Sequence, residues 1–346
     1  MDMFESKNNM SRPYSIIVWG ATGFTGGLVA EYLAEKSPTG ITFAIAGRSM
    51  EKLKIVASKL KNSFGVDVDC IVADSKDEKS LDAMTLKANV VITTVGPYAK
   101  YGFPLVDACI RQATDYVDIT GEPNFIRQTS QLYHESALKK GVRIVHSTGF
   151  DSIPSDLGAF ILANHFKEKG LETANIRMTI NDAKGGVSGG TIASACTMAE
   201  MMTFSDFSAL ARDADYLAVK GTSRTKNPWN GTILHYDKGF KKWQSIFVME
   251  GVNMRMVRRS SSLLGYGPEF QYCEGFSTSN FVIAFIAAFL SVLLYISSIL
   301  LLSSHVRNLV AWVIPPGTGP SEATRKKGFF DISLIGEAKT VFAVRL

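Results

Sequence analysis

Ser15-Ile16-Ile17-Val18-Trp19-Gly20-Ala21-Thr22-Gly23-Phe24-Thr25-Gly26 decides how this chain reads. An apolar run ends in three glycines, each three residues from the next, and an amphipathic pattern follows at once. The pattern predicts a strand over Ile16–Val18, a tight turn, and a helix over Gly27–Lys36. Gly20 suits the turn, Gly23 lets backbone approach a ligand, and Gly26 lets the helix pack close to the strand. Amide N–H groups left bare at such a helix N-terminus hold a pyrophosphate. The corner is therefore a dinucleotide-binding one, with Gly20, Thr22, Gly23, Phe24, Thr25 and Gly26 as its contacts. Its spacing is GxxGxxG rather than GxGxxG, so its placement between strand and helix carries the reading.

Working outward, strand patterns recur at Thr42–Ala46, Cys70–Val72, Val90–Thr93, Tyr116–Asp118 and Arg143–His146. Helical patterns separate them at Met50–Leu60, Phe103–Gln112 and Asn124–Lys140. Alternation of this kind predicts an α/β fold, a doubly wound parallel sheet of the Rossmann type over 13–150. Such domains usually place an acidic residue at the end of the second strand, on the ribose 2′-hydroxyl. Here the chain reads Ala46-Gly47-Arg48-Ser49. A guanidinium grips a 2′-phosphate that a carboxylate would repel, and a serine hydroxyl stands beside it. Arg48 and Ser49 therefore point to NADP(H).

Ligands of such sheets lie beyond the carboxyl ends of the strands. Asp74 follows the third strand, as an adenine contact or a helix cap. Thr94-Val95-Gly96-Pro97-Tyr98 follows the fourth, with Gly96 and Pro97 as cofactor contacts. Tyr98 and Tyr101 carry the hydroxyls nearest that position. Asp118, Glu122 and Asp151 are expected to converge on the same edge; none of this names a general acid or base, and Tyr98 and Asp151 are the crevice candidates for catalysis. His146 lies inside a strand run and reads as a satisfied core histidine. No metal constellation and no Ser/His/Asp arrangement is present in the spacing.

The chain has 346 residues with 37 Lys and Arg against 32 Asp and Glu, a formal charge of +5. No run of like charge suggests a nucleic-acid surface. The four cysteines are scattered, as in a cytosol-facing protein, and residues 1–12 form a polar tail without a signal-peptide core. After Gly149 the pattern changes to an α+β domain over 151–280. It holds a helix from Ile153 to His165, a strand at Ala174–Ile180, and a glycine-dense loop, 185–190, before a helix at Thr191–Thr203. From Phe281 to Leu302 no residue is charged. About 20 apolar residues suffice to cross a bilayer core, so 281–303 is expected to be a long apolar helix on a membrane or lipid-droplet surface. A buried helix of the second domain or of a homodimer interface is the alternative. Residues 315–320 read as a linker. Asp331–Leu334 could begin a strand, and 304–346 reads as a shortened C-terminal segment.

Taken together, the glycine corner, Ala46-Gly47-Arg48-Ser49, Val95-Gly96-Pro97-Tyr98, Asp118-Ile119-Thr120-Gly121-Glu122 and Gly149-Phe150-Asp151-Ser152-Ile153-Pro154-Ser155-Asp156 resemble the saccharopine dehydrogenase-like oxidoreductases of the animal, lipid-droplet-associated type. The resemblance implies a Rossmann domain, a substrate domain, and droplet or membrane association with the catalytic domain facing the cytosol. Bacterial relatives include trans-acting enoyl reductases of glycolipid assembly, which implies a lipid substrate. No set of arginines is placed to hold the carboxylates of saccharopine. An NADP(H)-dependent oxidoreductase of lipid metabolism is thus the leading expectation. A catalytically silent nucleotide-binding droplet scaffold and a soluble saccharopine-type dehydrogenase are the rivals.

Overall fold

The computed structural model describes residues 12–186, 189–201, 213, 215–219, 233–247, 249–301, 303–313 and 317–340. The chain divides into two compact units. One runs through Thr148 and takes in Val187–Met198 and Leu309–Gly319; the other holds Gly149–Gly186, Ala199–Asn308 and the chain from Pro320 onward.

In the first unit the predicted alternation forms one sheet. Its strands are β1 (Tyr14–Trp19), β2 (Phe43–Gly47), β3 (Asp69–Val72), β4 (Ala88–Thr93), β5 (Asp115–Asp118) and β6 (Ile144–Val145). They lie in the order β3-β2-β1-β4-β5-β6, every neighbouring pair parallel. The order reverses beside β1, the switch point at which such folds bind ligands. Helices α1 (Phe24–Lys36), α2 (Met50–Phe64), α3 (Glu78–Thr85), α4 (Tyr98–Arg111) and α5 (Pro123–Lys140) connect the strands. Alternate residues of β1 serve opposite faces. Ile17 and Trp19 join a core with Val91 and Tyr116, while Val18 packs with Ile45, Leu53 and Leu60. Burial on both faces is why these strands read as unbroken apolar runs. Arg12, the last residue of the expected tail, is tied to the base of this sheet by a bond to the Gln112 carbonyl at 2.6 Å. Residues 1–11 of that tail lie outside the described residues.

The second unit is built on a mixed sheet of β7 (Leu171–Lys184), β8 (Leu234–Asp237), β9 (Lys242–Ile246), β10 (Gln271–Thr278) and β11 (Phe329–Thr340). Its order is β11-β7-β10-β9-β8. Only β10 and β7 pair in parallel. Helices α6 (Ile153–Glu168) and α8 (Glu250–Leu264) cover it, and Ala159, Ile176, Met178, Val257 and Tyr272 form its core. Helix α7 (Gly189–Met201) belongs mostly to the first unit. Helices α9 (Phe281–Leu300), α10 (Ser304–Val313) and α11 (Glu322–Lys326) complete the chain's elements.

The sequence reading changes in three places. The apolar stretch is helix α9, with Ala284 and Ala288 buried. The Ser291 hydroxyl donates to the Ile246 carbonyl at 3.2 Å, and the Phe281 ring meets Trp243 edge-on at 4.8 Å. The small-residue face of α9 thus packs on the second unit's own sheet. The side chains of 294–299 are not described, and among the described residues no helix is long and apolar enough to cross a membrane. The helix expected on a membrane or lipid surface thus has one face packed on the second unit's sheet and an exposed apolar ridge. Second, the strand suspected at Asp331 runs over 12 residues and pairs along β7 from Leu171 to Lys184. Third, 315–320 is no simple linker. The Thr318 carbonyl accepts the Gly189 N–H at 2.9 Å, and Gly319 lies so close to the Phe24 ring that a Cβ would come within 2.5 Å of it. Residues 314–316, like Val187 and Ser188 of the expected glycine loop, lie outside the described residues.

Candidate functional site: a dinucleotide cleft in the first unit

At the end of β1, Gly20 adopts φ +95°, in the left-handed region where glycine is favoured. Its N–H donates to the Ala46 carbonyl at 2.9 Å, and the Thr94 N–H donates to the Trp19 carbonyl at 3.1 Å. These bonds pin the corner between β2 and β4. A Cβ at Gly20 would lie 2.7 Å from Val95 Cγ2. A Cβ at Gly26 would strike the Gly20 carbonyl oxygen and lie 2.7 Å from Thr94 Oγ1. At Gly20 and Gly26 the close packing read from the spacing is thus a steric fact. Gly23 is the N-cap of α1, with no side-chain cap and no acidic residue in the first helical turn. That leaves the positive end of the helix available to an anion.

Around this corner opens a cleft of about 340 Å³. Gly20, Thr22, Gly23, Phe24, Thr25 and Gly26 form its floor. Gly47 and Arg48 line it at the end of β2, and Thr94, Val95 and Gly96 at the end of β4. Sequence reasoning missed Lys52, Ser75, Gly190, Ala193 and Gly317, which also line it. Lys52 stands one helical turn past Arg48, so its place followed from the helix predicted at Met50. Gly190, Ala193 and Gly317 are far away in the chain and gave no local signal. Arg48 and Lys52 are both exposed, two cations at the lip. Among the described residues no carboxylate lines the cleft, and none could hold a metal ion with others as a cluster.

Several expected site residues do other work. The Ser49 hydroxyl caps α2, accepting the Lys52 N–H at 3.3 Å. Asp74 accepts the Lys76 N–H at 3.0 Å and shapes the turn after β3. Pro97 is the N-cap of α4. Ser49, Asp74 and Pro97 are outside the cleft lining. Tyr98 is buried; its hydroxyl donates to the Thr93 carbonyl at 3.2 Å, and burial pushes the phenol well above its usual range. It is a packing tyrosine, whereas Tyr101 lines the cleft.

The carboxylates expected to converge are absorbed by backbone. Glu122 is fully buried and accepts the N–H groups of Tyr98 at 2.9 Å and Ala99 at 2.8 Å, capping α4. Burial raises its carboxyl, and the two amides and the Ser194 hydroxyl oppose that rise. Asp118, also fully buried, accepts the N–H groups of Thr120 and Ser147, both at 3.0 Å. Its other oxygen takes the Tyr116 hydroxyl at 2.8 Å and meets His146 Nδ1 at 2.7 Å. His146 Nε2 lies 2.9 Å from Thr129 Oγ1, so this histidine is satisfied within the core. Asp151 belongs to the second unit, exposed in the turn before α6.

With this geometry in place, comparison with known proteins is informative. Residues 16–145 match the saccharopine dehydrogenase NADP binding domain. A trans-acting enoyl reductase of Mycobacterium tuberculosis is 37% identical over 341 residues, covering 92% of this chain and 80% of its own. Its Mycobacterium ulcerans counterpart is 35% identical over 344 residues, covering 93% and 81%.

The chain belongs to this enoyl reductase family.

These relatives are mycobacterial and not of the animal droplet-associated type that the motifs resembled. Among solved structures, a yeast saccharopine dehydrogenase aligns with 76% of this chain and 54% of its own at 16% identity and a TM-score of 0.46. The protein is an NADP-binding oxidoreductase with a saccharopine dehydrogenase-type cofactor domain. The cleft fits NADP(H) on its own chemistry, with an uncapped helix end for the pyrophosphate and Arg48 and Lys52 where a 2′-phosphate would lie.

Proposed function

We propose that the protein reduces the carbon–carbon double bond of an unsaturated acyl substrate of lipid metabolism. The observation that carries the reading is the cleft, cationic at its lip and free of carboxylates among the described residues, in a chain 37% identical to a trans-acting enoyl reductase. NADPH bound there supplies a hydride. The chain's own part is to hold the pyrophosphate on the α1 amides, to fix the 2′-phosphate with Arg48 and Lys52, and to keep charge away from the ring. Tyr101, which lines the cleft, would give a proton from its hydroxyl to the substrate carbon next to the carbonyl. A lipid surface is the proposed partner. The exposed ridge of α9, with Phe281, Val282, Ile283, Phe285, Ile286, Phe289 and Leu290 each about half exposed or more, supports that reading.

Incubation of the purified chain with NADPH and a series of 2-enoyl thioesters tests the activity. The expected result is NADPH oxidation with formation of the saturated thioester, seen by mass spectrometry. NADPH binding without turnover across the series would favour the silent scaffold. Flotation with neutral-lipid emulsions tests the surface, and the double change Phe285→Ser and Phe289→Ser should abolish it.

A further inference from the structure

A chain of aromatic rings joins helix α9 to the turn between β8 and β9. Tyr236 on β8 and Trp243 on β9 are register partners, and their rings meet edge-on at 5.4 Å. Trp243 in turn meets Phe281 at 4.8 Å, and Phe281 stands 6.4 Å from Phe285 on the exposed ridge. Tyr236 and Phe281 are each 48% exposed. Trp and Tyr, each with an apolar body and one polar atom, gather where hydrocarbon meets water. The ladder therefore sets the turn at the border of the ridge.

The charge around this ridge has one sign. From Lys238 to Met249 and from Gly275 to Asn308 the chain contains no Asp or Glu, but it contains Lys238, Lys241, Lys242 and Arg307. Lys242 donates to Asn181 Oδ1 and Arg307 to the Leu301 carbonyl, both at 2.8 Å. Lys238 and Lys241 are exposed and form no ion pair among the described residues. Asp237, which begins the turn, is buried; it pairs with Arg177 at 3.0 Å and accepts the Gly239 N–H at 2.7 Å. Its charge is spent inside the turn.

We propose that the β8–β9 turn and the α9 ridge dock together on an anionic phospholipid surface, the ridge entering the acyl layer and Lys238 and Lys241 meeting the headgroup phosphates. This rests on the lipid-surface reading above and names the lipid. An apolar face bordered by cations, with no anion among them, is the make-up of helices that lie in the interface. Each basic residue at such a surface adds roughly fivefold to the affinity, and salt screens it. A neutral surface would use the ridge alone, and a second copy of the chain would bring the same positive charge against itself.

Flotation of the full chain with vesicles of phosphatidylcholine alone, and of phosphatidylcholine with about a third phosphatidylglycerol, tests the proposal. The anionic vesicles should bind at least tenfold tighter, and the gap should close at high salt. The double change Lys238→Glu and Lys241→Glu should remove the preference while binding to neutral vesicles stays within about twofold. Should the reversal fail to fold, Lys238→Gln with Lys241→Gln decides. Equal binding of both vesicles by the wild type, or an undiminished preference in the lysine variant, would overturn the proposal and leave the lipid surface in place. Binding to neither vesicle would overturn both.

Discussion

The two units offer their binding surfaces in opposite ways. The cofactor cleft is made of backbone, with three glycines, an uncapped helix end and two exposed cations at the lip. The first unit's buried carboxylates Glu122 and Asp118 are outside its lining and are taken up by backbone amides and, for Asp118, by Tyr116 and His146 as well. The second unit's surface is made of side chains, the apolar ridge of α9 and the exposed lysines of the β8–β9 turn. A site that recognises a ligand common to many proteins can rest on backbone shape.

The largest effect that would break this contrast is at the backbone site. Gly26→Val places atoms on the Gly20 carbonyl and on Thr94 Oγ1, so NADPH affinity should fall by more than about a hundredfold. Retained affinity would show that the corner is not what shapes the cleft. Tyr101→Phe should lower turnover on an enoyl thioester by about a hundredfold, in the range for loss of a general acid, with little change in NADPH binding. Equal turnover would remove Tyr101 from the chemistry. Arg48→Glu should weaken NADPH by about 2 kcal/mol, or about 30-fold, and leave NADH within a few-fold. An equal loss for both nucleotides would remove the 2′-phosphate role.

The smallest effect lies in the second unit. Glu274 is buried and accepts the Tyr272 hydroxyl at 2.7 Å and the Asn253 amide at 3.0 Å, while Asn253 accepts the Ser152 hydroxyl at 2.8 Å. Burial raises its carboxyl despite these donors. The folded chain then binds a proton that the unfolded chain has already lost. Stability from this group is full below the unfolded value of about 4.3 and declines as pH rises through the raised folded value. Glu274→Gln should therefore gain on the wild type in urea midpoint between acid and neutral pH. A constant difference across that range would mean that the carboxyl titrates alike in both states.

The first unit was legible because its logic is local. Ile16 to Gly26 holds a strand, a turn and a helix start, and parallel strands buried on both faces announce themselves as apolar runs. Arg48 was legible because its position relative to the corner is fixed by one helix and one strand. Gly190, Ala193 and Gly317 were not, since α7 and 317–319 reach the cleft only through tertiary folding. Tyr98, Asp118 and Glu122 misled for a related reason. Their types fit chemistry, but Asp118 and Glu122 accept the backbone N–H groups of the loops beyond β4 and β5, and the buried Tyr98 hydroxyl donates to the Thr93 carbonyl. The apolar run at 281 gave a helix but not its packing, because Ala284, Ala288 and Ser291 are too small to signal a buried face.

The central claim is that the cleft is built for NADP(H). Direct titration of the wild-type chain with NADPH and with NADH, followed by calorimetry, tests it in one experiment. NADPH should bind at least tenfold tighter, with the preference shrinking as salt screens Arg48 and Lys52. Equal affinities, or a preference for NADH, would contradict the account.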